Sequence, residues 1–274
     1  MLTCADATAW LTVLERSSVD VAYIDPPFAS GRLRAREGFA FDDRASPAET
    51  ARSLIPVFDA IVRVLKPGGA LWVQCDQSAD WLLRAALEAQ RGLRFENVVV
   101  WHYYNKITNA RRKFAAAHDT LFLYSRTGAQ LRFTPQEEPR ERPVRFLKRE
   151  RRGGRLANVK DENGRCAYIE RTTRGVSDVW RIPALQPSSR EWTGYPTQKP
   201  LALLFRVIAS TSEPGALVID PMCGSGTTLV AARELGRQWA GADASTAAVT
   251  VAARRLGVPM PVASAGGTAP PRTP

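Results

Sequence analysis

The sequence predicts an α/β fold built on a mostly parallel sheet with helices on both faces, and three observations predict it. Short apolar runs such as Val21-Ala22-Tyr23-Ile24 and Ala70 to Cys75 suit buried strands. They alternate with amphipathic stretches at the spacing of strand, helix, strand, helix, which requires parallel neighbours. Near the carboxyl end, a strand leads through a glycine-rich turn into a helix and then into a second strand closing on an acid, the Rossmann-like layout of a nucleoside crevice.

In chain order, Leu2 to Asp6 reads as a short strand ending in an acid, and Ala7 to Arg16 as a helix with Trp10, Leu11 and Leu14 on one face. The run Val21 to Ile24 then stops at Asp25-Pro26-Pro27-Phe28, since each proline lacks an N–H and fixes φ. Left at that strand end are a carboxylate, turn carbonyls with no ladder partner and a flat ring, a set that suits a planar molecule bearing an amino group. Residues 29–45 are rich in Gly, Arg and Asp and are expected to form a mobile loop beside that site. Ser46-Pro47-Ala48-Glu49 supplies an N-cap, a first-turn proline and an acid, so a helix is expected to about Leu65, ended by Lys66-Pro67-Gly68-Gly69. Asp76 to Arg91 is the next expected helix, Arg94 to Trp101 and Thr120 to Tyr124 the next strands.

Periodicity weakens beyond that point, and 130–190 reads as an irregular insertion carrying short strands. Tyr168, Trp180 and Trp192 lie there among arginines, a mixture that stacks on bases and pairs with phosphates, or else supplies the insertion's own small core. From Pro200 to Thr211 a helix is expected, then a strand over Ala216 to Ile219 and the turn Asp220-Pro221-Met222-Cys223-Gly224-Ser225-Gly226-Thr227. A helix over Thr228 to Leu235, a strand from Gln238 to Gly241 closing on Asp243, and a helix to Leu256 complete the pattern. The expected organisation is 1–129 and 191–257 as the two halves of one domain, 130–190 as the insertion and 258–274 as a disordered tail rich in Pro, Gly, Ala and Thr.

Composition narrows the function. No apolar run approaches the roughly 18–20 residues that span a bilayer, and residues 1–10 show no export signal, so no membrane partner and a cytoplasmic location are expected. The four cysteines, Cys4, Cys75, Cys166 and Cys223, form no Cys-x-x-Cys pair, and neither a disulfide framework nor a metal site is indicated. The net charge is +11, and between Trp101 and Tyr195 there are 20 Lys and Arg against 10 Asp and Glu. A basic block of that size points to nucleic acid as partner.

The turn from Asp220 to Thr227 departs from Gly-x-Gly-x-x-Gly, and its opening acid repels a pyrophosphate while suiting a cationic ligand; Asp243 is placed to accept from ribose hydroxyls. With Asp25-Pro26-Pro27-Phe28 upstream and Gly194-Tyr195-Pro196-Thr197-Gln198-Lys199-Pro200 just before the turn, the chain resembles the S-adenosylmethionine-dependent DNA amino-methyltransferases, in the motif order of their circularly permuted beta class. Met222 departs from the usual phenylalanine.

The resemblance implies the class I methyltransferase fold, S-adenosylmethionine as cofactor and double-stranded DNA as substrate. It makes Asp25, Pro26, Pro27 and Phe28 catalytic. It assigns Asp6 to the cofactor adenine, Asp243 to the ribose, Thr197, Gln198, Lys199 and Pro200 to the methionine end, and Asp220, Pro221, Cys223, Gly224, Ser225, Gly226 and Thr227 to the cofactor loop. His118 and Asp119 are read as structural. Transfer to adenine N6 after base flipping is expected, with cytosine N4 as alternative because the family's cytosine enzymes more often carry Ser at the position of Asp25. A non-catalytic DNA-binding protein and a nicotinamide oxidoreductase are further readings, disfavoured by the intact motifs and by Asp220. Oligomeric state, a homodimer included, and a partner restriction endonuclease are left open by the sequence.

Overall fold

The structure, a computed structural model, describes residues 1–27, 32–36, 39–43, 45–106, 111–112 and 114–261, with the backbone alone for 32–36 and 39–43. The chain divides into two compact units, Met1–Thr134 with Asp178–Pro274, and Pro135–Ser177. The first unit opens with β1 (Leu2–Cys4), α1 (Ala7–Val13), β2 (Val19–Ile24), β3 (Arg32–Arg36), β4 (Phe39–Asp43), α2 (Pro47–Val64), β5 (Leu65–Cys75), α3 (Asp80–Glu88), β6 (Leu93–His102) and β7 (His118–Arg126). The second holds β8 (Glu137–Leu147), β9 (Arg149–Arg152), β10 (Arg155–Asn158) and β11 (Tyr168–Gly175). The first resumes with β12 (Val179–Arg181), α4 (Leu201–Thr211), β13 (Leu217–Asp220), α5 (Thr227–Glu234), β14 (Gln238–Asp243) and α6 (Thr246–Leu256).

Eight strands form the main sheet in the order β1-β14-β13-β2-β5-β7-β6-β12. All neighbours are parallel except at β7, which runs antiparallel to both β5 and β6. The link from β6 to β7 contains no helix among the described residues, so the chain returns without the crossover that a parallel pair needs.

The pleat explains why both faces carry helices. Along β2 and β5, Ala22, Ile24, Leu71 and Val73 share a buried cluster with Trp10 and Leu11 of α1, Phe58 and Ile61 of α2, and Leu83 of α3. The alternate residues point the other way, where the Trp72 indole N–H donates to the Thr211 hydroxyl of α4 at 3.1 Å. A smaller cluster joins Leu229 and Val230 of α5 to Val249, Ala252 and Leu256 of α6.

Local signals acted largely as expected. Ser46 and Glu49 form a reciprocal capping box on α2: the Ser46 N–H donates to the Glu49 carboxylate at 2.8 Å and the Glu49 N–H to the Ser46 hydroxyl at 3.2 Å. That helix stops at Val64, and Lys66-Pro67-Gly68-Gly69 lies within β5 instead of in a separate turn. The third helix begins at Asp80, four residues later than expected, because the Asp76 carboxylate takes the Ser78 N–H at 2.9 Å and holds 76–79 in an Asx turn. Within 29–45, read as a loop, β3 and β4 pair as an antiparallel hairpin. The expected tail falls almost wholly outside the described residues.

The second unit contains two antiparallel ladders, β8 with β11 and β9 with β10. Arginines lie over its exposed rings: Arg145 over Tyr168 at 4.8 Å, Arg140 over Phe146 at 5.4 Å. Trp180 does not share this environment. It is buried on β12 at the edge of the main sheet, 5.9 Å from the ring of Trp72, and is therefore core in the first unit.

Candidate active site

Because β1, β14, β13 and β2 are adjacent and parallel, their carboxyl ends lie along one edge of the sheet. Each delivers an aspartate there: Asp6 after β1, Asp243 closing β14, Asp220 closing β13 and Asp25 after β2. All four line a single cavity of about 320 Å³. Register makes this possible across nearly 200 residues of sequence, since Val218 and Ile219 of β13 pair with Val21 and Ala22 of β2.

The turn after β13 forms one wall. Asp220, Pro221, Cys223, Gly224, Ser225 and Thr227 line the cavity, whereas Gly226 lies behind it as the N-cap of α5. Gly226 has φ +75°, and a Cβ there would stand 2.8 Å from the Cβ of Ala252, so both the backbone and the packing of α6 demand glycine. A Cβ on Gly224 would meet the ring of Tyr195 at 3.2 Å. The Gly224 N–H donates to one oxygen of Asp243 at 2.8 Å and the Ser245 N–H to the other at 2.8 Å, which orients that carboxylate toward the turn.

The opposite wall is Asp25, Pro26 and Pro27, with Thr197, Lys199 and Tyr195 from the segment before α4. The Lys199 ammonium donates to Asp25. The fourth residue of the expected catalytic set, Phe28, lies outside the described residues.

Two further assigned residues brace the wall without lining the cavity. Gln198 accepts from the Thr193 N–H and hydroxyl at 3.0 and 2.6 Å and donates to the Glu191 carbonyl at 2.6 Å. Pro200 is the N-cap residue of α4. Asp6 does line the cavity, and it also caps α1 by accepting from the Ala9 N–H at 3.0 Å.

Charge is unevenly distributed in the cavity: among the described residues, four aspartates face one lysine. Burial raises the Asp220 carboxyl to about 7, against hydrogen bonds from Thr228 and the Met222 N–H, and Asp25 and Asp243 push it the same way. Burial raises Asp243 as well, opposed by its two N–H donors.

Sequence reasoning missed Tyr195 and Tyr23, both lining the cavity and both raised by burial. The signal for Tyr23 was present, since i and i+2 share a strand face and Asp25 follows it by two. Asp119, read as structural, is buried beside this wall. It accepts from Gln74 at 2.8 Å and from the Tyr103 hydroxyl at 3.2 Å, and Gln74 accepts from the Tyr23 hydroxyl at 2.5 Å.

The family model for N6/N4 DNA methylases matches residues 19–254. The chain is 25% identical over 257 residues to the DNA adenine methyltransferase YhdJ of Escherichia coli, covering 92% of this chain and 81% of that protein. Among solved structures it is similar to PvuII DNA methyltransferase (cytosine-N4-specific), at TM-score 0.66 and 16% identity over 93% of this chain and 85% of that one. It is likewise similar to the M1.HpyAVI–SAM complex, at TM-score 0.64 and 20% identity over 94% of this chain and 99% of that one.

Proposed function

Since the chain belongs to the N6/N4 DNA methylase family, we propose that it transfers a methyl group from S-adenosylmethionine to the exocyclic N6 of adenine in double-stranded DNA. The observation that carries this reading is that one cavity is lined both by the Asp220 to Thr227 turn and by Asp25, Pro26 and Pro27. A methyl donor on the first wall and an amino group on the second would share one enclosed space.

The cavity fits the cofactor by charge. S-adenosylmethionine carries a sulfonium and an ammonium against one carboxylate, and among the described residues the lining offers four carboxylates to one ammonium. Asp243 would accept from the ribose, Asp6 would sit toward the adenine, and the glycines of the turn would let the backbone approach. Bound there, the cofactor supplies an electrophilic methyl whose bonding pair stays with sulfur when the new C–N bond forms.

The chain's own part is orientation. An exocyclic amine is a weak nucleophile because its lone pair is delocalised into the ring. If the Asp25 carboxylate and the Pro26 carbonyl each accept one amino hydrogen, the nitrogen is drawn toward a tetrahedral shape and its lone pair is turned to the methyl group. No proton need leave before transfer; the surplus proton leaves the methylated nitrogen afterwards. The base reaches this wall only by leaving the duplex, at a cost of a few kcal/mol, and Phe28 would stack on it. Residues 130–190 would form the target-recognition region, which the 12 Lys and Arg against 7 Asp and Glu within residues 135–177 support.

Adenine is favoured by Asp25 itself and by likeness to the DNA adenine methyltransferase of Escherichia coli; likeness to a cytosine-N4 enzyme keeps the alternative in view. The deciding experiment incubates the protein with cofactor and unmethylated duplex DNA, digests the product to nucleosides and weighs the modified base. N6-methyldeoxyadenosine is expected. Finding only N4-methyldeoxycytidine would sink the assignment.

A further inference from the structure

We propose that Lys199 is a positioning residue for the catalytic carboxylate: its ammonium holds Asp25 aimed and charged within the cavity. This rests on the functional reading above and departs from the role at the methionine end that family resemblance gives Lys199.

The two side chains are 174 residues apart in sequence and mutually sequestered, Lys199 being 10% exposed and Asp25 17%. A pair this deeply buried leaves a strongly uncompensated charge when one member is removed. The position is also informative. Lys199 directly precedes Pro200, the N-cap of α4, where the helix dipole disfavours a cation. A carboxylate must therefore hold it there, and Asp25 does so. Asp25 accepts from the ammonium directly, and Asp119 of β7 feels its charge, which opposes the upward push that burial gives the Asp119 carboxyl. Asp119 is itself fixed by Gln74 and Tyr103, and Gln74 by Tyr23, so its charge cannot swing away. Backbone placement of Lys199 is set next door, by the three hydrogen bonds of Gln198.

Among the described residues, the titratable groups that bear on Asp25 include Tyr23 on its own strand, Cys75 on β5, Tyr195 and Lys199 before α4, and Asp220 on β13; Asp119 on β7 bears on Lys199. Burial raises Tyr23, Cys75 and Tyr195, keeping them neutral through the working range. Asp220 titrates near neutrality, so variants are compared at saturating cofactor, where its contribution is common to all.

The test is the pH profile of single-turnover methyl transfer to duplex DNA in the wild type, Lys199→Met and Lys199→Arg, with S-adenosylhomocysteine affinity measured by calorimetry on each. Loss of an opposite charge at contact distance moves a carboxyl by about one to three pH units. Lys199→Met is expected to shift the acidic limb upward by that amount while binding the product cofactor within about threefold of wild type, which also shows that it folds. Lys199→Arg is expected to restore the limb. A limb unmoved by Lys199→Met, with cofactor affinity falling tenfold or more, would make Lys199 a cofactor residue and overturn the proposal. A wild type that methylates no DNA at all would overturn the functional reading beneath it, a result distinct from an active wild type with an unmoved limb.

Discussion

Asp220→Asn tests whether the acid opening the glycine turn is what recruits a cationic ligand. In the empty protein burial holds this carboxyl at about 7, so it is half protonated at neutrality. A sulfonium ligand binds the charged form, and affinity should follow the deprotonated fraction. That fraction is about one eleventh at pH 6 and about ten elevenths at pH 8, a tenfold gain in affinity across the window. Asparagine keeps the shape and loses the titration. Calorimetric titration of S-adenosylmethionine at pH 6, 7 and 8 therefore should show about tenfold stronger pH dependence in the wild type than in Asp220→Asn. The ligand's own amino group titrates identically against both proteins and cancels in the comparison.

Stability carries the opposite sign. The raised carboxyl keeps its proton in the folded state while the unfolded chain has already lost it above the ordinary aspartate value of 3.8, so the protein without ligand should lose stability as pH rises from about 4 through about 7. Asp220→Asn should flatten that fall. Equal pH dependence of binding in the two proteins would refute the reasoning, and with it the idea that this acid recognises a cation.

Asp25→Ala should abolish methyl transfer while leaving cofactor affinity within a few-fold of wild type, read by single-turnover assay and calorimetry; a fully active variant would remove Asp25 from the mechanism. Gly226→Ala places a Cβ 2.8 Å from that of Ala252 at φ +75°, and should lower stability by about 1–3 kcal/mol in denaturant unfolding.

Much of the scaffold was legible because local rules wrote it. The prolines after Asp25 had to end β2, Ser46 and Glu49 had to cap α2, and the glycines of the turn after β13 had to allow a tight entry into α5. Boundaries slipped where two local rules competed, as at Asp76, whose carboxylate preferred the Ser78 N–H to starting a helix. Trp180 was misplaced for a different reason. Its neighbours in sequence are arginines and loop residues, but its neighbours in space are Trp72 and β6, and no local pattern records a strand added to a distant edge.

The sequence by itself determined the alternation of strands and helices, the acids at the strand ends, the glycine turn and the order of the motifs. Each of these is a property of a few consecutive residues. Tertiary structure alone decided that β2 and β13 are neighbours, that four strand-end aspartates share one cavity, that β7 runs antiparallel, and that Lys199 reaches Asp25. These depend on sheet order and register, which are set by how buried faces pack together and which no window along the chain contains.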